Sequence, residues 1–197
     1  MHAHQLFARR CLLVDRELEK HRDALLVEQG KNGDKSALAE LVGLYHQPVY
    51  NLAYRIVGDV EMASDVTQST FLRAFEKLAQ FNPEYKFFSW IYRIATNEAI
   101  DQAKSRDRFT ATDGTELAAS DTEAAIFDQQ QAVRVQRALG KLSEDYRTVI
   151  SLRHFSEMSY EDISEVLVLP VKTVRSRLYS ARQLLKTHLD SQEHSFR

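Results

Sequence analysis

Along the first half of the chain, Leu38, Leu41, Val42, Tyr45, Val49, Leu52, Ala53 and Ile56 return at intervals of three and four. Such spacing lays one apolar stripe along a helix and gives a strand no alternating face to bury. The pattern resumes from Asp59 to Leu78 with Ala63, Val66, Phe71, Ala74, Phe75 and Leu78, and again to about Lys104 with Ile91, Ile94, Ala95, Ala99 and Ala103. Gly58-Asp59 is expected to end the first helix, and Asn82-Pro83 to force a break after the second. Pro48 is expected to bend or interrupt the first helix, because a mid-helix proline loses a hydrogen bond and crowds the preceding turn. Ser89 is expected to cap the third. Six glycines and three prolines in 197 residues are too few for the turns of a β-sandwich or barrel, so the expected class is all-α.

The charge pattern divides the chain. Thr110 to Gln131 carries Asp113, Glu116, Asp121, Glu123 and Asp128 with no Lys or Arg, has weak apolar periodicity, and reads as a flexible acidic linker. Two small helical domains are therefore expected, residues 23–109 and 132–190, with an extension of unassigned role at 1–22 and a tail at 191–197. The longest apolar run near the N-terminus, Cys11-Leu12-Leu13-Val14, falls far short of the ~18 residues of a membrane span, so no membrane insertion and a cytoplasmic location are expected. The single cysteine excludes an internal disulfide, which fits a reducing compartment. At a net charge of −2, any nucleic-acid binding must come from local patches.

One such patch lies near the C-terminus. Helical spacing recurs over Val133–Leu142, Glu144–Phe155, Tyr160–Leu167 and Val171–Leu189, with Ser143 and Ser159 standing where N-caps belong. Only Val168-Leu169-Pro170 separates the last two segments, so a short helix, a tight turn and a longer helix form a helix-turn-helix. In the last helix Val171, Val174, Leu178, Ala181 and Leu185 share one face, and Lys172, Arg175, Tyr179, Arg182 and Lys186 share another. Residues 171–190 hold five Lys/Arg against one Asp, whereas Phe155 to Val166 holds Glu157, Glu161, Asp162 and Glu165 and no base. A basic helix after a tight turn suits the DNA major groove, where arginine pairs with guanine and lysine holds phosphate.

A second patch is aromatic. Eight of the 19 aromatic residues fall between Phe71 and Tyr92, interleaved with Lys86 and Arg93 and followed by Lys104, Arg106 and Arg108. Rings beside cations are what unpaired bases require, since stacking and phosphate neutralisation act together. Phe71, Phe75 and Trp90 are expected in the helical core, while the segment from Phe81 to Trp90 is expected to offer a pocket for an unstacked base.

Four blocks in order carry a family resemblance: Asp65-Val66-Thr67-Gln68-Ser69-Thr70-Phe71-Leu72-Arg73-Ala74-Phe75, then Phe88-Ser89-Trp90-Ile91-Tyr92-Arg93-Ile94-Ala95-Thr96-Asn97, then Leu142-Ser143-Glu144-Asp145-Tyr146-Arg147, and finally Ser159-Tyr160-Glu161-Asp162-Ile163 with Thr173-Val174-Arg175-Ser176-Arg177-Leu178. Over about residues 24–190 the chain resembles an extracytoplasmic-function sigma factor of the sigma-seventy family. The resemblance implies an alternative sigma factor acting in transcription initiation, in a stress or envelope response. It implies core RNA polymerase as a partner, through the beta-prime clamp helices and the beta flap, together with promoter DNA and an anti-sigma protein.

Residue by residue, Asp65, Gln68 and Phe71 match the polymerase-binding motif. Lys86, Trp90, Tyr92, Arg93 and Asn97 belong to the stretch that binds and melts the minus-ten element. Lys172, Thr173, Arg175, Ser176, Arg177, Tyr179 and Arg182 lie in the helix that reads the minus-thirty-five element. Ser69 stands where the family usually has an acid and Lys172 where it commonly has glycine, so clamp contacts and promoter preference are not transferred from relatives.

Other classes fit less well. A helix-turn-helix operator-binding regulator would place a ligand or receiver domain in front, where this chain carries the Asp65–Gln68–Phe71 motif and the aromatic stretch. His2, His4 and Cys11 offer no fourth metal ligand, and His46, His154 and His188 stand apart, so no metal and no cofactor are expected. With no nucleophile–base pair and no glycine-rich phosphate loop, the chain is not expected to be an enzyme.

Overall fold

The computed structural model describes residues 18–109 and 123–194, all secondary structure within them being helical. Residues 1–17, 110–122 and 195–197 lie outside the described residues, and with them most of the N-terminal extension, the first part of the expected linker and the end of the tail.

Helix α1 (residues 18–31) docks by burying Leu26 and Val27, and its Asp23, only 3% exposed, accepts a hydrogen bond from the Tyr45 hydroxyl. Helix α2 (Lys35–Val57) starts at Asp34, whose carboxylate accepts from the Ser36 and Ala37 amides at 2.8 and 3.4 Å. It ends at Gly58, which adopts φ +75° and donates its N–H to the Tyr54 carbonyl at 2.8 Å. Of the bend or interruption expected at Pro48, the interruption does not occur: α2 runs through it without a break. Buried Leu41 and Tyr45 before the proline, and Val49, Leu52 and Ala53 after it, clamp both turns to the same core and offset the lost hydrogen bond.

Helix α3 (Val60–Glu76) is capped by Asp59 on the Met62 amide at 2.9 Å, and a 3-10 turn (Leu78–Gln80) follows. Helix α4 (Phe87–Phe109) begins two residues before Ser89, so that serine lies in the first turn, 5% exposed, and is not the N-cap. Phe87 sets the earlier start. Its ring is 2% exposed and packs on Tyr45, Phe81 and Trp90 at centroid distances of 5.4, 5.7 and 5.6 Å, which draws the chain into the core at that residue.

The second half comprises α5 (Glu123–Gly140), α6 (Glu144–His154), α7 (Tyr160–Leu167) and α8 (Val171–His194). α5 corrects the expected linker: residues 123–131 are helical, and the remainder, 110–122, lies outside the described residues. The acidic stretch that suggested a linker is here also rich in Gln and Ala, which are strong helix formers. Ser143 occupies the N-cap of α6 but its side chain makes no cap bond; Glu144 and Asp145 in the first turn complement the helix dipole instead. Ser159 does cap α7, in a reciprocal box with Asp162.

Each half buries its own stripes, Leu41, Ile56, Val66, Ile91 and Ala95 in one and Leu139, Ile150, Leu152, Ile163, Val174 and Leu178 in the other. The two cores join into one cluster where α2 and α4 meet α5, α6 and α7.

Candidate polymerase and promoter surfaces

The outward face of α3 is built by its own helical phase. Val66, Thr67, Thr70, Phe71 and Ala74 turn inward and leave Asp65, Gln68 and Leu72 exposed in one row at i, i+3 and i+7. Phe71 does not present itself to a partner. It is 7% exposed and lies against His46 and Phe75, at 6.3 and 6.0 Å between ring centroids, so it supports the face from beneath. Leu72, 58% exposed, takes the outer apolar position, a role that the inward-reading apolar pattern of α3 did not signal.

At the start of α4 the aromatic cluster is largely internal. Phe81 and Phe87 are buried, and the half-buried Trp90 packs on both, at 5.2 and 5.6 Å, so Trp90 joins the core as expected and the rings of the segment expected to offer a pocket fill one another's space. Tyr92 is 3% exposed, and burial raises the pKa of its hydroxyl. Asn97 and Arg93 are exposed, and the Arg93 guanidinium donates to the Glu165 carbonyl near the end of α7. Lys86, just before α4, donates to Asp162 Oδ1 at 2.7 Å. Burial alone would raise the Asp162 carboxyl's pKa; hydrogen bonds from Lys86 and Ser159 outweigh it and hold the group below its ordinary value.

α8 presents a different picture. Val174, Leu178 and Ala181 are buried, while Lys172, Arg175, Tyr179, Arg182 and Lys186 all stand exposed on the opposite side, as the sequence periodicity dictates. The turn before it is stitched by Ser164, whose carbonyl accepts from the Val168 and Leu169 amides and whose hydroxyl donates to the Leu169 carbonyl. Val168 closes that turn at φ +54°, a left-handed conformation strained for a β-branched residue.

Three arginines of α8 are steadied from neighbouring helices. Arg175 lies over the Tyr160 ring at 5.9 Å, Arg177 pairs with Asp145 at 3.0 Å, and Arg182 Nε donates to His154 Nε2 at 3.2 Å. Burial, then the Arg182 and Arg153 guanidiniums, lower the His154 pKa and favour the neutral ring that accepts this bond. Thr173 is half-buried, and Ser176 is exposed with its hydroxyl donating to the Thr173 carbonyl at 3.0 Å.

Between the halves runs a polar seam that sequence reading did not find. Arg147 Nη1 donates to the Ile56 carbonyl at 2.7 Å, while its other nitrogens reach the Leu139, Gly140 and Leu142 carbonyls, each at 3.0 Å. Gln136 donates to the Tyr54 carbonyl at 3.1 Å and accepts from Arg55, which also lies over the Phe155 ring at 4.3 Å. Ser159 and Asp162, three apart before an apolar run, signal a helix cap in the sequence, but nothing local signals that the same carboxylate spans 76 residues to Lys86. Among the described residues no cluster of His, Cys, Asp or Glu could hold a metal, and no helix is long and apolar enough to cross a membrane.

The comparisons follow these surfaces. Sigma-70 region 2 matches residues 41–109, and Sigma-70, region 4 matches residues 132–185. The chain is 34% identical over 176 residues to the ECF RNA polymerase sigma factor SigW of Bacillus subtilis (strain 168), covering 83% of this chain and 94% of that relative. It is 36% identical over 181 residues to the RNA polymerase sigma-H factor of Pseudomonas aeruginosa, covering 85% of this chain and 94% of the relative. The solved structure of CnrH in complex with the cytosolic domain of CnrY superposes with a TM-score of 0.69 at 30% identity, covering 86% of this chain and 98% of that one. The sigma factor RpoE, in complex with the anti-sigma factor NepR from Bartonella quintana, gives 0.65 at 25% identity, over 77% of this chain and 96% of that one. The chain belongs to the extracytoplasmic-function family of RNA polymerase sigma factors, the alternative sigma factors of transcription initiation.

Proposed function

We propose that this chain binds core RNA polymerase through the exposed row Asp65, Gln68 and Leu72 on α3, with Phe71 beneath it, and carries the enzyme to promoters whose minus-thirty-five element is read by α8. Lys172, Thr173, Arg175, Ser176, Arg177, Tyr179 and Arg182 supply that reading surface, the arginines for base edges and the lysine and hydroxyls for phosphates. Lys86, Trp90, Tyr92, Arg93 and Asn97 engage the minus-ten element and capture the strand as it opens. Residues 23–109 and 132–190 act as two working units joined across 110–131, which would let the two promoter elements be held at once. The clamp helices and flap of the polymerase are the protein surfaces met, and an anti-sigma protein is the partner that withholds the factor until an envelope or other stress signal arrives.

The observation that carries this reading is the exposed basic row on α8, set behind a helix-turn-helix bend and opposite the buried Val174, Leu178 and Ala181. Run-off transcription from a genomic promoter library, with purified core polymerase and with or without this chain, tests it. Discrete products that depend on the chain support the reading; silence with active core overturns it.

A further inference from the structure

Arg175 leaves α8 from its second turn and is exposed, yet its guanidinium carbon lies 5.9 Å from the centre of the Tyr160 ring, within the ~6 Å over which a ring face holds a cation. Tyr160 is the first residue of α7 and packs half-buried against the core. Its backbone is pinned by the cap on either side of it: Ser159 donates its amide to Asp162 Oδ2 at 3.2 Å, and the Asp162 amide donates to Ser159 Oγ at 3.0 Å. The same ring carries a second cation. Arg153 lies over it at 5.2 Å, and its Nη1 is tied to the Met158 carbonyl at 2.6 Å. Tyr160 is thus a fixed platform, and the like charge of the half-buried Arg153 opposes any inward collapse of Arg175.

Holding a phosphate needs only a charge within range, which the exposed Lys172 and Lys186 supply on the same face. Reading a base needs more: the guanidinium plane must set two N–H groups at once on guanine O6 and N7. An arginine free to turn would swing to a nearby phosphate when the base is wrong, and so recover much of what the mismatch costs. One laid against a ring keeps its orientation, pays less ordering entropy on the right sequence, and loses the contact on the wrong one.

We propose that Tyr160 is a positioning residue of the minus-thirty-five surface: its ring orients Arg175 for a base edge, and so sets how sharply α8 discriminates between sequences. This rests on the reading of α8 as the minus-thirty-five helix and adds to it a residue outside that helix.

The test uses holoenzyme assembled from core polymerase and the full chain, and a duplex DNA library randomised over the minus-thirty-five region, whose bound fraction is sequenced at several salt concentrations. The wild type should enrich a preferred sequence, and Arg175→Ala should lose the preference at one position. Two ring-free variants, Tyr160→Leu and Tyr160→Met, keep an apolar side chain against the core, with folding checked by circular dichroism. Each should lose preference at that same position by about fivefold, with the preferences elsewhere and the salt slope as in the wild type. Tyr160→Phe keeps the ring and should discriminate like the wild type. Combined with Arg175→Ala, loss of the ring should cost nothing further. The proposal is overturned if the ring-free variants keep the preference, if their loss spreads over all positions, if Tyr160→Phe loses as much as they do, or if Arg175→Ala loses no base preference. Failure of the minus-thirty-five reading looks different: the wild-type holoenzyme then enriches no sequence at all, and the proposal falls with it.

Discussion

The start of α4 and the outer face of α8 carry the same kinds of side chain, cations beside aromatic rings, yet the fold treats them differently. On α8 the cations are exposed, and those with partners are steadied sideways by Tyr160, Asp145 and His154 rather than covered. On α4 the rings fold into the core, and Lys86 and Arg93 are engaged by α7. A surface that reads duplex DNA can stand preformed, because a groove is available before anything opens. One that holds unpaired bases has no ligand until the duplex is melted, and exposed rings left waiting would be an apolar liability.

That contrast can be broken first at Arg147. Its guanidinium bonds four backbone carbonyls, one of them across the seam, so Arg147→Ala removes charge-assisted bonds and strands buried acceptors. A loss of about 3 kcal/mol is expected in urea unfolding. If the variant melts like the wild type, the seam contributes little to the fold, and the closed state of α4 loses its structural support.

Arg175→Ala should then sharpen the α8 side, with no help from the seam. Upstream promoter binding by the assembled holoenzyme should weaken by ~1–3 kcal/mol if the side chain reads a base. If it holds only phosphate, the loss should be nearly uniform across sequences with a shallower salt slope. A titration at several salt concentrations distinguishes the two.

Acid should open the α4 side. Asp162 has a depressed pKa in the fold, so its contribution is complete above its unfolded value of ~3.9 and is lost as pH falls through the lower folded value. The expected contribution is about 1 kcal/mol, since Lys86 is itself 44% exposed. Trp90, the single tryptophan, sits in the aromatic cluster four residues beyond Lys86. Its fluorescence should change over that acid range in the wild type, and the change should be reduced in Asp162→Asn.

The smallest expected effect on stability is at the polymerase face. Asp65→Ala with Gln68→Ala alters two exposed side chains and should move stability by no more than ~0.5 kcal/mol. Affinity for core polymerase should nevertheless fall. Unchanged core affinity, with the circular dichroism intact, would remove α3 from the account.

How much of this was written in the sequence follows the range of the interactions. Helical phase is local, so the buried stripe and basic row of α8 and the exposed position of Asp65 and Gln68 were legible from spacing alone. The Ser159 cap was legible for the same reason. Ser89 was misread as a cap, and Pro48 does not interrupt α2, because tertiary packing of Val49, Leu52 and Phe87 outweighs a local preference. Residues 123–131 were misread because charge pattern was weighed above helix propensity. The seam was invisible because each of its bonds joins residues 72–91 positions apart, and no periodicity reports such a pair.

The division of labour between α4 and α8 is tested most directly on a promoter already opened. A template pre-melted over the minus-ten element removes the unpairing cost, so in the holoenzyme it should restore initiation by Asn97→Ala, which acts on α4, far more than initiation by Arg175→Ala, which acts on α8. Equal rescue of the two variants would contradict the account.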